Sequence, residues 1–220
     1  MTPIRYINKQ FFIMDIKVSP LDESSYTYDD VIALMHASFE ERLKQGLRFT
    51  CSAMTVSEFR KRTKNGIVFV AWNAENHELQ GTATVTLCKN KKGVVYGYNE
   101  YLAISPSAKR HGIGTKLLDA RIDCILKAGG KYVMSDTALG AESSINWHLK
   151  NGFKKVSLRS FGSTNYYSII FRKQLAPSLL WNSIIYTSFR FWVTSIMIKS
   201  IYKKDGSMTC FGKLTKFIRR

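Results

Sequence analysis

The densest group of chemically useful residues lies between Leu102 and Leu118. A strand-like run closes at Ser105-Pro106. A turn then supplies Lys109, Arg110, His111, Gly112, Ile113 and Gly114, and a helical pattern starts at Thr115. Glycines let backbone N–H groups converge on an anion with no Cβ in the way. The entrance of a helix adds about half a positive charge, and Lys109 and Arg110 add whole charges. These parts together make a cradle for a pyrophosphate. Spacing separates the known kinds of cradle. A mononucleotide phosphate loop needs Gly-Lys-Ser/Thr, whereas the order here is Gly114-Thr115-Lys116. A dinucleotide fingerprint needs a further glycine where Leu117 stands. Thiol chemistry is not indicated. Cys51, Cys88, Cys124 and Cys210 stand far apart, with no C-x-x-C pair. They suggest neither a zinc site nor a disulfide framework, and the pattern fits a reducing compartment.

Lys109-x-x-Gly112-x-Gly114 matches the signature R/Q-x-x-G-x-G/A at both glycines. Leu102-Ala103-Ile104-Ser105-Pro106 before it, and Trp147-His148-Leu149-Lys150-Asn151-Gly152-Phe153 after it, complete a pattern that resembles the GNAT N-acetyltransferase superfamily. Order and spacing agree from about Ile16 to Phe171. The resemblance implies an α/β fold, the GNAT acyl-CoA N-acyltransferase fold, with a mixed central sheet splayed at its middle strands and flanked by helices. It implies acetyl-CoA (coenzyme A) as cofactor, with the amides of Arg110, His111, Gly112, Ile113, Gly114 and Thr115 on the pyrophosphate. Lys109 stands where the family has Arg or Gln, and it lacks their planar fork. The main chain of Leu102 and Ile104 would pair with the pantetheine arm. An amide near Leu102 would polarise the thioester carbonyl. His148 stands where the family often has a Tyr that protonates the departing thiolate, a task an imidazolium performs near neutral pH. Ala141 replaces an Asn often found there. For the base that takes the amine's proton, Glu100 is the first choice. It lies two residues before Leu102, on the same face by strand alternation. Asp136 is the alternative. The implied reaction is acetyl transfer to a primary amine of a small molecule (an amino sugar, amino acid or similar) by direct attack in a ternary complex.

The elements that must position these groups follow from periodicity. Apolar residues at helical spacing predict helices over Tyr28–Gln45, Thr115–Ala128 and Ser143–Asn151. Thr55 and Glu58 read as a capping box opening a helix from Val56 to Lys64. β-branched and aromatic runs predict strands at Asp15–Val18, Ile67–Trp72, Gln80–Cys88, Val94–Ile104, Tyr132–Ser135, Phe153–Leu158 and Tyr166–Phe171. The loops Phe49–Met54 and Ser160–Asn165, with Tyr166 and Tyr167, are expected to build the acceptor pocket.

The chain has 220 residues and a formal charge of +17. Its composition excludes collagen-like, low-complexity and wholly disordered chains. A break near Ala176-Pro177 divides a domain over 1–174 from a tail over 175–220, which holds eight Lys/Arg and one acid. Met1 to Met14 end in no small-residue cleavage site, so no signal peptide is read there, and Met14 is a second possible start. From Leu179 to Ile198 the tail is nearly all apolar apart from Arg190. A basic, apolar C-terminal helix over 179–220, lying on the inner face of an anionic membrane, is the expectation. The plain alternative is a helix packed on its own domain or on a homodimer mate. The chain then reads as cytoplasmic and peripheral. A longer-chain acyl donor would suit a membrane-facing tail. A nucleic-acid-binding module would explain the charge, but no binding motif accompanies it, so nucleic acid is not the favoured partner.

Overall fold

The computed structural model describes residues 14–161 and 164–176 and, in the C-terminal segment, 188–189, 191–193, 195–196, 200 and 209–211. The segment before Met14 and most of the apolar run over 179–198 lie outside the described residues.

Seven strands form one sheet: β1 (Ile16–Pro20), β2 (Gly66–Asn73), β3 (Leu79–Lys89), β4 (Val95–Ile104), β5 (Tyr132–Ala138), β6 (Lys154–Ser160) and β7 (Tyr167–Gln174), in the order β1-β2-β3-β4-β5-β7-β6. All pairings are antiparallel except β4 with β5. The parallel pair requires a crossover, which is α3 (Ile113–Lys127). The other helices are α1 (Tyr28–Lys44), α2 (Val56–Thr63) and α4 (Glu142–Lys150).

Helices α1 and α2 start where side chains satisfy their first amides. Thr27 and Asp30 form a reciprocal capping box for α1. At α2 only half of the expected box forms. Thr55 accepts from the Glu58 amide, but the Glu58 carboxylate turns to Arg62 instead. A cation one turn along competes successfully with a single backbone amide.

Two apolar clusters hold the sheet between its helices. On one face Phe69, Ala71, Ala83, Val85, Val133, Ile169 and Phe171 meet Ile113, Leu117, Leu118 and Ile125 of α3. On the other, Val68 and Val70 meet Val31, Ile32 and Met35 of α1 and Phe59 of α2.

The middle of the sheet is split. β4 and β5 pair only at Gly97–Val133, Tyr98–Met134 and Asn99–Ser135. Beyond that point β4 runs on to Ile104 and β5 to Ala138, with β5 held along its whole length by β7. That support explains why β5 extends three residues past the expected Ser135: the polar run Asp136-Thr137 is kept extended by its neighbour, not by its own propensity.

β4 also carries a bulge. Between the pairs Thr84–Glu100 and Thr82–Ala103, Ala83 of β3 faces both Tyr101 and Leu102. Tyr101 adopts φ +51° there. The extra residue reverses the side-chain alternation. Leu102 and Ile104 therefore pack in the α3-side cluster, while Glu100 sits opposite Thr84 on the α1/α2 side. The expectation that Glu100 and Leu102 share a face fails for this reason.

Candidate active site

The glycine turn expected to hold a pyrophosphate leads directly into α3. Arg110 and Gly112 both take left-handed φ, +73° and +75°. Gly112 is the N-cap of α3 and offers no side-chain cap, so the amides of Ile113 and Gly114 have no acceptor within the helix. A Cβ on Gly112 would meet no atom within 4 Å, so the entrance is open. A Cβ on Gly114 would lie 3.2 Å from Ile104 Cδ1 and 3.3 Å from Trp147 Nε1. That glycine lets the helix approach both lips of the split, β4 and α4. Ile113 is buried and offers only its backbone, whereas His111 and Thr115 are exposed. Lys109 is turned away from the amides toward α1, with Nζ 3.3 Å from Glu41 Oε2.

The strand lip behaves similarly. Ser105 donates to Gln80 O in β3, so alternation aims the Ile104 amide into the split. There it meets Ser38 Oγ of α1 at 3.2 Å. One turn on, Arg42 reaches Ser143 at the start of α4. The end of α1 thus touches both sides of the opening, through residues that the sequence reading did not single out.

On the α1/α2 face the split exposes an acidic pair. Burial raises the Glu100 carboxyl above the usual range, the nearby Asp136 raises it further, and the Thr86 hydroxyl and Arg62 oppose the shift. Thr86 Oγ1 donates to Glu100 Oε2 at 3.4 Å. Burial also raises Asp136, which accepts from Tyr98 Oη at 3.1 Å. Over this pair the two expected acceptor loops come together. Arg48 N donates to Asn165 Oδ1 at 3.0 Å, and Asn165 Nδ2 donates to Gly46 O at 2.8 Å. The rings of Phe49 and Tyr166 lie 4.9 Å apart. Of the Ser160–Asn165 loop, residues 162–163 lie outside the described residues. Cys51 is buried beneath this roof, and desolvation pushes its thiol up to about 12, so it carries no thiolate at neutral pH.

His148 is on the opposite face. It is 4% exposed, stacked on Phe171 at 4.5 Å, with Nδ1 2.8 Å from Ser144 O and Nε2 3.0 Å from Ser135 Oγ. A carbonyl only accepts, so Nδ1 bears the proton and Nε2 accepts from Ser135. Burial lowers its pKa to about 4, and the charge of Arg121 acts in the same direction. The ring is therefore neutral at pH 7, and its one proton is held by a backbone carbonyl. The imidazolium expected from sequence does not form here.

Beside His148 is a buried polar group that sequence reasoning missed. Arg121 is 1% exposed, and its Nε donates to Leu117 O at 3.1 Å. Among the described residues no carboxylate pairs with it. Desolvation lowers it to about 9. Asn99, at the last paired position below the split, is 3% exposed, and neither of its amide atoms has a partner. Its place at the close of a strand pair was the only available signal.

Comparison with known proteins agrees with this geometry. The model of the acetyltransferase (GNAT) family matches residues 29–153. No curated protein matches the sequence. Among solved structures, the NatC complex bound to Gag peptide and CoA aligns with TM-score 0.61 and 17% identity, covering 74% of this chain and 100% of that one. A GNAT-family acetyltransferase from Staphylococcus aureus aligns at 0.57 and 14%, covering 73% and 99%. The ribosomal-protein-S18-alanine N-acetyltransferase from Escherichia coli aligns at 0.53 and 15%, covering 76% and 99%.

Proposed function

Because the chain belongs to the GNAT acetyltransferase family, whose members use acetyl-CoA, we propose that it acetylates a primary amine of a small molecule by direct attack within the split sheet. The observation that carries this reading is the pairing of an open, uncapped helix entrance at Gly112 with a β4–β5 gap that starts at Asn99. The residues fit the cofactor: free amides at Ile113 and Gly114 suit a pyrophosphate, and the orphaned Asn99 amide leaves a buried polar group at the foot of the gap. Arg110, His111, Gly112, Ile113, Gly114 and Thr115 would hold the diphosphate, and Leu102 and Ile104 the arm, with Ser38 releasing the Ile104 amide. When bound, acetyl-CoA supplies an activated acetyl thioester.

The acceptor side follows from charge and shape. Glu100 and Asp136 attract an ammonium group. Glu100, raised by burial, takes its proton and leaves the neutral amine. Tyr98 holds Asp136 in place. Asn165 ties the segment before Phe49 to the loop before β7 through two hydrogen bonds. His148 acts as a positioning residue: its lone pair fixes the Ser135 hydroxyl at the apex of the split.

The test is thiol release from acetyl-CoA across a panel of amino sugars, amino acids and polyamines. Release with one or more primary amines, and none with the matching tertiary amines, is expected. Saturable acetyl-CoA binding with no release across the whole panel would refute transfer to small amines.

A further inference from the structure

We propose that the C-terminal helical segment carrying Phe189, Trp192 and Ile196 seats this protein on an anionic membrane surface. The inference goes beyond the transferase reading and does not depend on it.

The described residues 188–189, 191–193, 195–196 and 200 are helical. Phe189, Trp192 and Ile196 recur at spacings of three and four, which places them on one helical stripe. They are 59%, 60% and 48% exposed, and the Phe189 and Trp192 rings lie 6.2 Å apart. Phe191, on the other side of the helix, is partly buried against the α3-side core. Its ring lies 5.5 Å from Lys155 Nζ on the edge strand β6. One side of the helix is therefore held by the domain, and the other presents two aromatic rings and an isoleucine to solvent. Contiguous apolar exposure of this kind marks a docking surface.

Charge identifies the occupant. The tail that carries the stripe holds eight Lys/Arg, Arg190, Lys199, Lys203 and Lys204 among them, against one acid, and the edge strand β6 brings Lys155 to Phe191 of the same helix. A twofold contact with a second copy would bring two strongly basic segments together. An anionic lipid surface answers both features: headgroups meet the cations, Trp takes the interfacial zone that its amphipathic ring prefers, and Phe and Ile enter the apolar boundary. The mode we propose is interfacial. Among the described residues no helix is long and apolar enough to cross a membrane.

The test is flotation of the full chain with vesicles of phosphatidylcholine alone and of phosphatidylcholine with roughly a third phosphatidylserine. Binding at least about tenfold greater to the anionic vesicles, weakened by salt, is expected. F189E/W192E should lose it by a similar factor while its melting temperature stays that of the parent. Equal flotation of the parent and F189E/W192E overturns the proposal. So does an absence of binding to anionic vesicles, or indifference to phosphatidylserine. A self-association that F189E/W192E dissolves, without vesicle binding, assigns the stripe to a second copy instead. Acetyl transfer enters none of these readouts, so failure here and failure of the transferase reading are separable.

Discussion

At the scale of single residues, two buried groups do opposite work. Glu100 is held above the usual carboxylate range, chiefly by burial. A base in this state gains activity as pH rises through its raised pKa. E100Q should therefore lower kcat by roughly a hundredfold or more and abolish the acid limb of the kcat/KM profile. A pH-rate series on both forms checks this, and an unchanged acid limb would move the role to Asp136. His148 acts on stability. Burial holds its folded pKa at about 4, below the ordinary imidazole value of about 6.5, so the unfolded chain binds a proton that the folded chain refuses. Its contribution is whole above about 6.5 and is lost as pH falls through about 4, on the order of 3 kcal/mol in all. Arg121 is the neighbour that reinforces this. It is a buried cation with no carboxylate partner among the described residues, so R121M should stabilise the fold by about 1–4 kcal/mol. The same change should raise the His148 titration point. Denaturant melts and imidazole NMR titration read the two effects separately, and a destabilised R121M with unmoved His148 would contradict both.

At the scale of elements, the glycine turn and the helix start after it were legible in the sequence because their physics is local. Two glycines, two cations and a helix start occupy consecutive positions, and nothing distant is needed to shape them. Most strands and helices were legible for the same reason, through their apolar period. What was not legible depends on partners far along the chain. The reversed alternation at Tyr101-Leu102 comes from a mismatch with β3. The contacts of Ser38 with Ile104 and of Glu41 with Lys109 come from how α1 lies across the sheet. The neutrality of His148 comes from burial against Phe171, which a residue name does not reveal. The cradle supplies a prediction at this scale. G112E should abolish the acetyl-CoA thermal shift, because a carboxylate would stand at the helix entrance. Substitution at φ +75° costs about 1–2 kcal/mol of strain on its own. Gly112→Ala carries the same strain without the charge, so it should melt lower yet retain the shift. Loss of the shift in both forms would mean that strain, not charge, emptied the cradle.

At the scale of the whole molecule, a GNAT-family domain is followed by a C-terminal segment that the family model does not match. Each solved relative described above covers only 73–76% of this chain while nearly all of itself is matched. The family match ends at residue 153. The sheet, the cradle and the acidic pair all lie before Leu175. Among the described residues after 177, one apolar side chain anchors to the α3-side core, Phe191, which is only partly buried. Deleting residues 178–220 removes that anchor together with eight Lys/Arg and one acid. Full burial of a phenylalanine contributes about 1.5–3 kcal/mol, so the partly covered ring contributes less. The shortened chain should melt a few degrees lower, bind acetyl-CoA with unchanged affinity, and keep kcat within about twofold of the full chain on a soluble amine, as separated sites permit. Calorimetry and thiol-release kinetics on the two forms provide the comparison. A shortened chain that folds and binds acetyl-CoA but turns over at least about tenfold more slowly would show that the tail completes the acceptor site. The division into an enzyme and its membrane seat would then be wrong.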